Sequence, residues 1–222
     1  MNRSTSYWIS GALVFSLCLL EAKAQSADVP RYEVGVQFTS ITEPSYGNGH
    51  TEPGFGGRFT FNLNRSVALE AVGNFFPHKC RSCGAGPFGD SNGNITQGLF
   101  GVKAGKRFQK WGIFAKGRPG VVSFSQGNSG YVTTGSGGIF PFQFSHTRRT
   151  NFAVDVGGVL EFYPSKKIVT RFDAGDTLIH FGRRQSNLLL FDSLGGVTIL
   201  PYVLPAETRH NFQFSAGVGF RF

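Results

Sequence analysis

Eight stretches of the chain alternate between apolar and polar residues with a period of two. That period belongs to a strand whose two faces meet different surroundings. In the first stretch Tyr32, Val34, Val36 and Phe38 share one face, and Glu33, Gly35, Gln37 and Thr39 the other. The second sets Phe55, Gly57, Phe59, Phe61 and Leu63 against Gly56, Arg58, Thr60 and Asn62. The third sets Val67, Leu69, Ala71, Gly73 and Phe75 against Ala68, Glu70, Val72 and Asn74. The fourth, less distinct, has Phe100, Val102 and Ala104 opposite Leu99, Gly101, Lys103 and Gly105.

The fifth stretch places Ile113, Ala115, Gly117, Pro119 and Val121 against Phe114, Lys116, Arg118 and Gly120. Pro119 has no N–H for a ladder and marks a candidate bulge. The sixth opposes Phe152, Val154, Val156, Leu160 and Phe162 to Asp155, Gly157, Val159, Glu161 and Tyr163. The seventh opposes Ile168, Thr170, Phe172 and Ala174 to Arg171, Asp173 and Gly175. Asp176 then falls on the apolar side, which predicts a bulge there or an exit from the apolar surroundings. The last stretch is the clearest: Phe212, Phe214, Ala216, Val218, Phe220 and Phe222 against Asn211, Gln213, Ser215, Gly217, Gly219 and Arg221.

Connections alternate in length. Tight turns fall at 64–66, 107–110 and 164–167, and long Gly-rich connections near 40–54, 77–94, 125–150 and 180–208. This rhythm is that of a transmembrane barrel, with short periplasmic turns and long external loops. An open sheet of eight strands would leave two bare edges, which closure removes. The expected fold is therefore all-β: a single antiparallel closed transmembrane β-barrel of eight strands. Residues 185–205 contain two apolar runs, Leu188–Phe191 and Val197–Leu200. They read either as a hairpin above the membrane or as two further strands, making ten.

Charge decides which face points inward. The apolar face is rich in Phe and nearly free of charge. The other face carries Glu33, Glu70, Asp155, Glu161 and Asp173 with Arg58, Lys103, Lys116, Arg118, Arg171 and Arg221. Unpaired charges in a dry core each cost several kcal/mol, so this face does not make an ordinary soluble interior. It fits a polar barrel interior of paired charges, with the Phe residues toward lipid. The competing arrangement is a soluble sandwich with this face wet and the aromatic face as its core.

Residues 1–24 read as a signal peptide: Arg3, an apolar run from Tyr7 to Leu20, and Ala22-Lys23-Ala24 as the cleavage site. The run is short for a spanning helix, and Leu17 before Cys18 argues against lipidation. The barrel domain is then 25–222, with 20 of the 22 basic and 12 of the 13 acidic residues, a net +8. The 31 glycines are about twice the usual share and suit a turn-rich β protein. The excess positive charge falls in turns and loops. There Arg148, Arg149, Arg183 and Arg184 are either contacts for lipid or lipopolysaccharide phosphates or plain solvated charge.

The closing stretch His210-Asn211-Phe212-Gln213-Phe214-Ser215-Ala216-Gly217-Val218-Gly219-Phe220-Arg221-Phe222 resembles the terminal strand of bacterial outer-membrane β-barrels. The segment Phe61–Glu70 is similar to the turn region of small barrels of the outer-membrane protein A type. The resemblance spans about residues 30–222. It implies an outer-membrane location, contact with lipid and lipopolysaccharide, and delivery to the barrel assembly machinery through Phe220 and Phe222. It also implies a monomer without cofactor. The chain stops at its last strand, which argues against a wall-anchoring role.

Chemistry is sparse. Cys80-Arg81-Ser82-Cys83 has the spacing of a redox motif, but the βαβ setting is absent. In an oxidising compartment the pair reads as a local disulfide in the second external loop, and zinc with His78 lacks a fourth ligand. Ser145-His146 lacks a nearby acid, and neighbours on a strand point to opposite faces. Nucleic acid is a poor partner for an exported barrel. The function expected is a non-enzymatic structural or surface-interaction barrel. The alternative is a small-solute pore, with a continuous polar path past Glu70, Lys103 and Arg118. A lipid A-modifying enzyme, the third reading, needs a Ser, His and acid converging at the outer rim.

Overall fold

The computed structural model describes residues 29–43, 50–77, 94–133, 142–191 and 197–222. It contains β1 (Tyr32–Glu43), β2 (His50–Asn62), β3 (Val67–Phe76), β4 (Ile95–Arg107), β5 (Trp111–Thr133), β6 (Phe142–Phe162), β7 (Ile168–Phe181), β8 (Arg184–Phe191), β9 (Val197–Leu204) and β10 (Glu207–Arg221). Eight of these close a barrel in the order β1-β10-β7-β6-β5-β4-β3-β2, and β8 pairs only with β9. The segment 185–205 is thus a hairpin between β7 and β10, and the barrel has eight strands. Residues 1–24, expected to be a signal peptide, lie outside the described residues, as do Cys80, Cys83 and His78.

Closure is made by the two ends of the chain. Glu33 stands opposite Arg221 and Thr42 opposite Phe212 along the antiparallel β1–β10 seam. The amide of Tyr32 donates to the Phe222 carbonyl, and that of Phe222 to Tyr32, both at 2.9 Å. Asn64 holds the β2–β3 turn, its Oδ1 accepting from the Ser66 and Val67 amides at 2.8 Å. A side-chain oxygen holds the β6–β7 turn in the same way, where Ser165 Oγ accepts from the Ile168 amide at 3.1 Å.

The outer wall is the Phe-rich face. Val36 is 65% exposed, and Phe38, Phe55, Phe100, Phe152 and Phe212 stand out beside it. Aromatic pairs ring both ends of this belt. Tyr32 meets Phe61 and Phe222 at 5.3 and 5.8 Å and Phe108 stacks on Trp111 at 4.2 Å on the short-turn side, while Phe55 meets Phe75 at 5.5 Å toward the long loops. A closed barrel pairs its backbone groups within the ladder, and girdled apolar belts mark the bilayer interfaces.

Above the belt the two faces exchange character. On β1 the outward positions change from Phe38 to Ser40 and Thr42, and the inward ones from Gln37 and Thr39 to Ile41. On β3 and β4 the inward positions become Phe76 and Ile95, and on β5 and β7 Val122 and Ile179. The strands run on into water, where an apolar interior is the stable choice. The long connections expected from the sequence are correspondingly shorter. Residues 125–133 and 142–150 belong to the 23-residue β5 and 21-residue β6, which pair from Trp111↔Phe162 to Thr133↔Phe142.

One local expectation is corrected and another is narrowed. Pro119 makes no bulge. It stands opposite Val154 of β6, and the irregularities of β5 lie between Phe124 and Gly127 and between Asn128 and Gly130. On its other side the ladder to β4 lapses between Leu99↔Gly120 and Val102↔Gly117 and then resumes in the same register. Asp176 makes no bulge, which leaves the other alternative, an exit from the apolar surroundings. It pairs in register with Val156 and Phe212, and β7 continues to Phe181.

Where β4 and β5 approach closely, glycine is required. A Cβ on Gly101 would stand 2.1 Å from the Gly117 carbonyl oxygen and 2.6 Å from the Arg118 Cα, whereas one on Gly73, Gly98 or Gly117 would meet nothing within 4 Å. Gly101→Ala is expected to lower the urea midpoint by an amount equivalent to about 1–3 kcal/mol, and Gly98→Ala to leave it nearly unchanged. Equal effects from the two would remove this packing argument.

Candidate functional site

The lumen is filled in three layers. The layer nearest the short turns is ionic. Arg171 holds Asp173 through Nε at 2.8 Å and Glu70 through Nη2 at 2.9 Å, with Nη1 also on Glu70. Arg118 grips Asp155 through Nε at 2.8 Å and reaches Glu70 at 3.3 Å. Lys103 pairs with Glu161 and lies 3.5 Å from Glu70, and Lys116 lies 3.1 Å from Asp155. Glu70 therefore meets cations from β4, β5 and β7 at once. Its Oε1 accepts a further bond from Thr60 at 3.3 Å.

Nearer the termini, Glu33 lies 3.6 Å from both Arg107 and Arg221 and accepts from Asn62 at 3.1 Å. Tyr163 donates to Glu161 at 2.8 Å, accepts from Arg107 at 2.9 Å, and carries the Arg221 guanidinium 4.5 Å over its ring. Arg107 is an addition to the sequence reading, in which it belongs to a turn. It ends β4 with its side chain turned inward. The buried set then holds seven cations (Arg58, Lys103, Arg107, Lys116, Arg118, Arg171 and Arg221) against five acids (Glu33, Glu70, Asp155, Glu161 and Asp173), not six against five. Arg58 is the one lumen cation with no carboxylate partner among the described residues; its Nη1 donates to Gln37 Oε1 at 3.5 Å.

The middle layer is uncharged and polar. Gln37 donates to Asn74 at 2.9 Å, Asn74 to Gln97 at 2.7 Å, and Gln97 and Gln213 exchange bonds at 3.0 and 3.1 Å. Thr177, Thr39 and Ser215 finish the chain, with Thr177 on Gln213 at 2.7 Å and Ser215 on Thr39 at 2.8 Å. Amides suit this task because each both donates and accepts, so a row of them can cross the lumen and satisfy its own members.

The outermost layer is apolar: Ile41, Phe76, Ile95, Val122, Ala153 and Ile179, with Phe124 and Phe181 packed against them. Gly54 makes room for it, since a Cβ there would lie 2.6 Å from the Phe76 ring. An eight-stranded barrel is just wide enough for its own side chains, and here they fill it from end to end in three kinds of contact.

The chain is an eight-stranded closed transmembrane β-barrel. Its apolar outer belt, polar lumen and closed ladder together suit lipid and no other solvent. No protein-family model and no curated protein sequence matches the chain. Among solved structures the barrel is similar to Neisserial surface protein A, at 12% identity over 86% of this chain and 97% of that one, with a TM-score of 0.51. It is also similar to Ail, the attachment invasion locus protein of Yersinia pestis, in complex with the heparin analogue sucrose octasulfate (13% identity, 86% and 97% coverage, TM-score 0.49). A third is the outer membrane protein OprG from Pseudomonas aeruginosa (10% identity, 88% and 98% coverage, TM-score 0.46). The likeness is one of fold.

The remaining candidates of the sequence lie apart from the lumen. Phe220 and Phe222 face outward at the terminal end of the belt, 49% and 60% exposed. Ser145 and His146 are successive residues of β6, opposite Gly130 and Asn128. Among the described residues no group of three or more His, Cys, Asp and Glu is placed to hold a metal ion. One pairing escapes the sequence reading: on the outer wall His210 Nδ1 lies 2.6 Å from Asp176 Oδ2, and the Asn211 amide donates to Asp176 Oδ1 at 2.9 Å. An acid out of phase on one strand and a His one outward position higher on its neighbour are the signal for it.

Proposed function

We propose that the protein is a non-enzymatic, non-conducting barrel that holds its external hairpins at the cell surface as an interaction platform. The observation that carries this reading is the filled lumen: an ionic layer, an amide layer and an apolar cap stacked along one axis. A pore for small solutes would use a polar path past Glu70, Lys103 and Arg118. Those residues are spent on one another, and the cap above them is built of aliphatic and aromatic side chains. The long β5–β6 hairpin and the β8–β9 hairpin are the parts raised above the belt, and such loops carry the function of a rigid scaffold.

Under this reading the barrel sits in the lipopolysaccharide leaflet and is assembled by the barrel machinery through the outward row Phe214, Val218, Phe220 and Phe222. Reconstitution in planar bilayers tests the lumen directly. The expected trace has no discrete conductance steps above the lipid baseline at moderate voltage. Reproducible unitary steps that disappear on Ile41→Trp, at the apolar cap, would establish the pore instead.

A further inference from the structure

Among the described residues the arginines of the external rim lie on one side. On the β6, β7 and β10 side Arg148, His180, Arg183, Arg209 and His210 are all exposed. The outward positions just above the belt on the other strands are uncharged: Thr42 and Thr51 on β1 and β2, Thr96 on β4 and Ser123 on β5. Among the described residues the two acids on the cationic side are already engaged. Glu207 lies 3.1 Å from Arg209, and Asp176 2.6 Å from His210.

Those engagements also orient the cationic side. Arg209 lies 5.4 Å over the Phe181 ring, His180 Nδ1 is 3.0 Å from Thr208 Oγ1, and Asp176 takes one ring nitrogen of His210. Register pairs His180 with Phe152 of β6 and Thr208 of β10 and, two residues nearer the middle of the belt, Leu178 with Val154 and His210. Immediately below come the lipid-facing Val156, Phe212 and Phe214. An acyl chain lying on this wall therefore brings its headgroup to Arg148, His180, Arg183 and His210. Among the described residues the opposite wall offers it no lysine or arginine at that height.

We propose that the β6–β7–β10 rim is a docking face for the phosphorylated headgroups of outer-leaflet lipid. Arg148 and Arg183 supply the attraction, and His180 and His210, each held through one ring nitrogen, supply directed contacts. The face turns the barrel in the membrane plane, with one wall toward anionic lipid. The proposal rests on the outer-membrane reading and deepens it.

Native mass spectrometry of the refolded barrel with diphosphorylated lipid A, and separately with its dephosphorylated form, reads this face. The native protein is expected to keep several-fold more of the diphosphorylated lipid. Arg148→Gln with Arg183→Gln is expected to remove most of that excess, as loss of two cations at a lipid surface implies, and to leave the dephosphorylated adduct unchanged. The matching control, Lys110→Gln with Lys167→Gln at the opposite end, is expected to keep the native ratio. Equal adducts for the rim variant and the native chain, or an equal loss in the control, would overturn the proposal. Boiled against unboiled gel mobility on the same samples reports folding. A barrel that shifts on boiling yet lacks the lipid preference loses this inference alone, whereas one that does not shift loses the outer-membrane reading beneath it.

Discussion

Replacing Glu70 with alanine is expected to cost the folded barrel about 3–5 kcal/mol, the usual penalty for leaving a buried charge network without one partner. Glu70 is fully buried and is shared by Lys103, Arg118 and Arg171. Removing it leaves seven buried cations facing four carboxylates, in a lumen already filled by side chains. Glu207→Ala is the contrast. Its pair with Arg209 is more than half exposed on both sides, and such pairs contribute about 0–1 kcal/mol. Urea unfolding in lipid vesicles measures both. The reporter is Trp111, the only tryptophan beyond residue 24; it stands exposed on the outer wall and leaves lipid on unfolding. A loss at Glu70 no larger than that at Glu207 would mean that the lumen is hydrated and its ion pairs are weak.

The ionic layer also explains why the lumen is legible in the sequence and its cap is not. Within the belt, lipid outside and charge inside give each strand two faces of opposite chemistry, so the phase of the alternation reports orientation directly. Glu33, Glu70, Lys103, Arg118, Asp155, Glu161 and Arg171 are all inward for that reason. At the height of Ser40, Thr96 and Ser123 the outer solvent changes from lipid to water. The inward positions turn apolar there, and the alternation shifts phase although the backbone does not. A strand read only by phase stops at that point, so the pattern of β1 ends at Thr39 and that of β5 at Val121. Asp176 looks out of place by the same rule, being an acid at the upper edge of the lipid-facing wall, where His210 meets it.

Other omissions have local causes. Arg107 goes with its turn in the sequence because a long side chain at a strand end can leave the strand's own level, and only the partners Glu33, Glu161 and Tyr163 bring it inward. The amide chain from Gln37 to Gln213 joins residues far apart in the sequence, and its members carry no charge to draw notice. Pro119 keeps its register because the missing N–H costs the β4–β5 ladder only a short lapse, while the pairing on both sides of it holds the strand in line.

The inside-out arrangement itself has a sharper test in the outer wall. Val36→Arg is expected to destabilise the barrel in lipid by about 2–4 kcal/mol, the cost of a cation near the bilayer midplane on a barrel exterior. Val36 lies in the middle of the belt, between Val218 of β10 and Gly57 of β2, with 65% of its surface free. The same substitution at Thr96, outward but above the belt, is expected to change stability by less than about 1 kcal/mol, since its guanidinium reaches water at once. Both sites are exposed on the same kind of ladder, so packing is nearly the same and the difference reads depth in lipid alone. Equal small effects at the two positions would put water against Val36. The Phe belt would then have to be covered by protein, and the paired charges of the lumen would lose the only solvent arrangement that accounts for them.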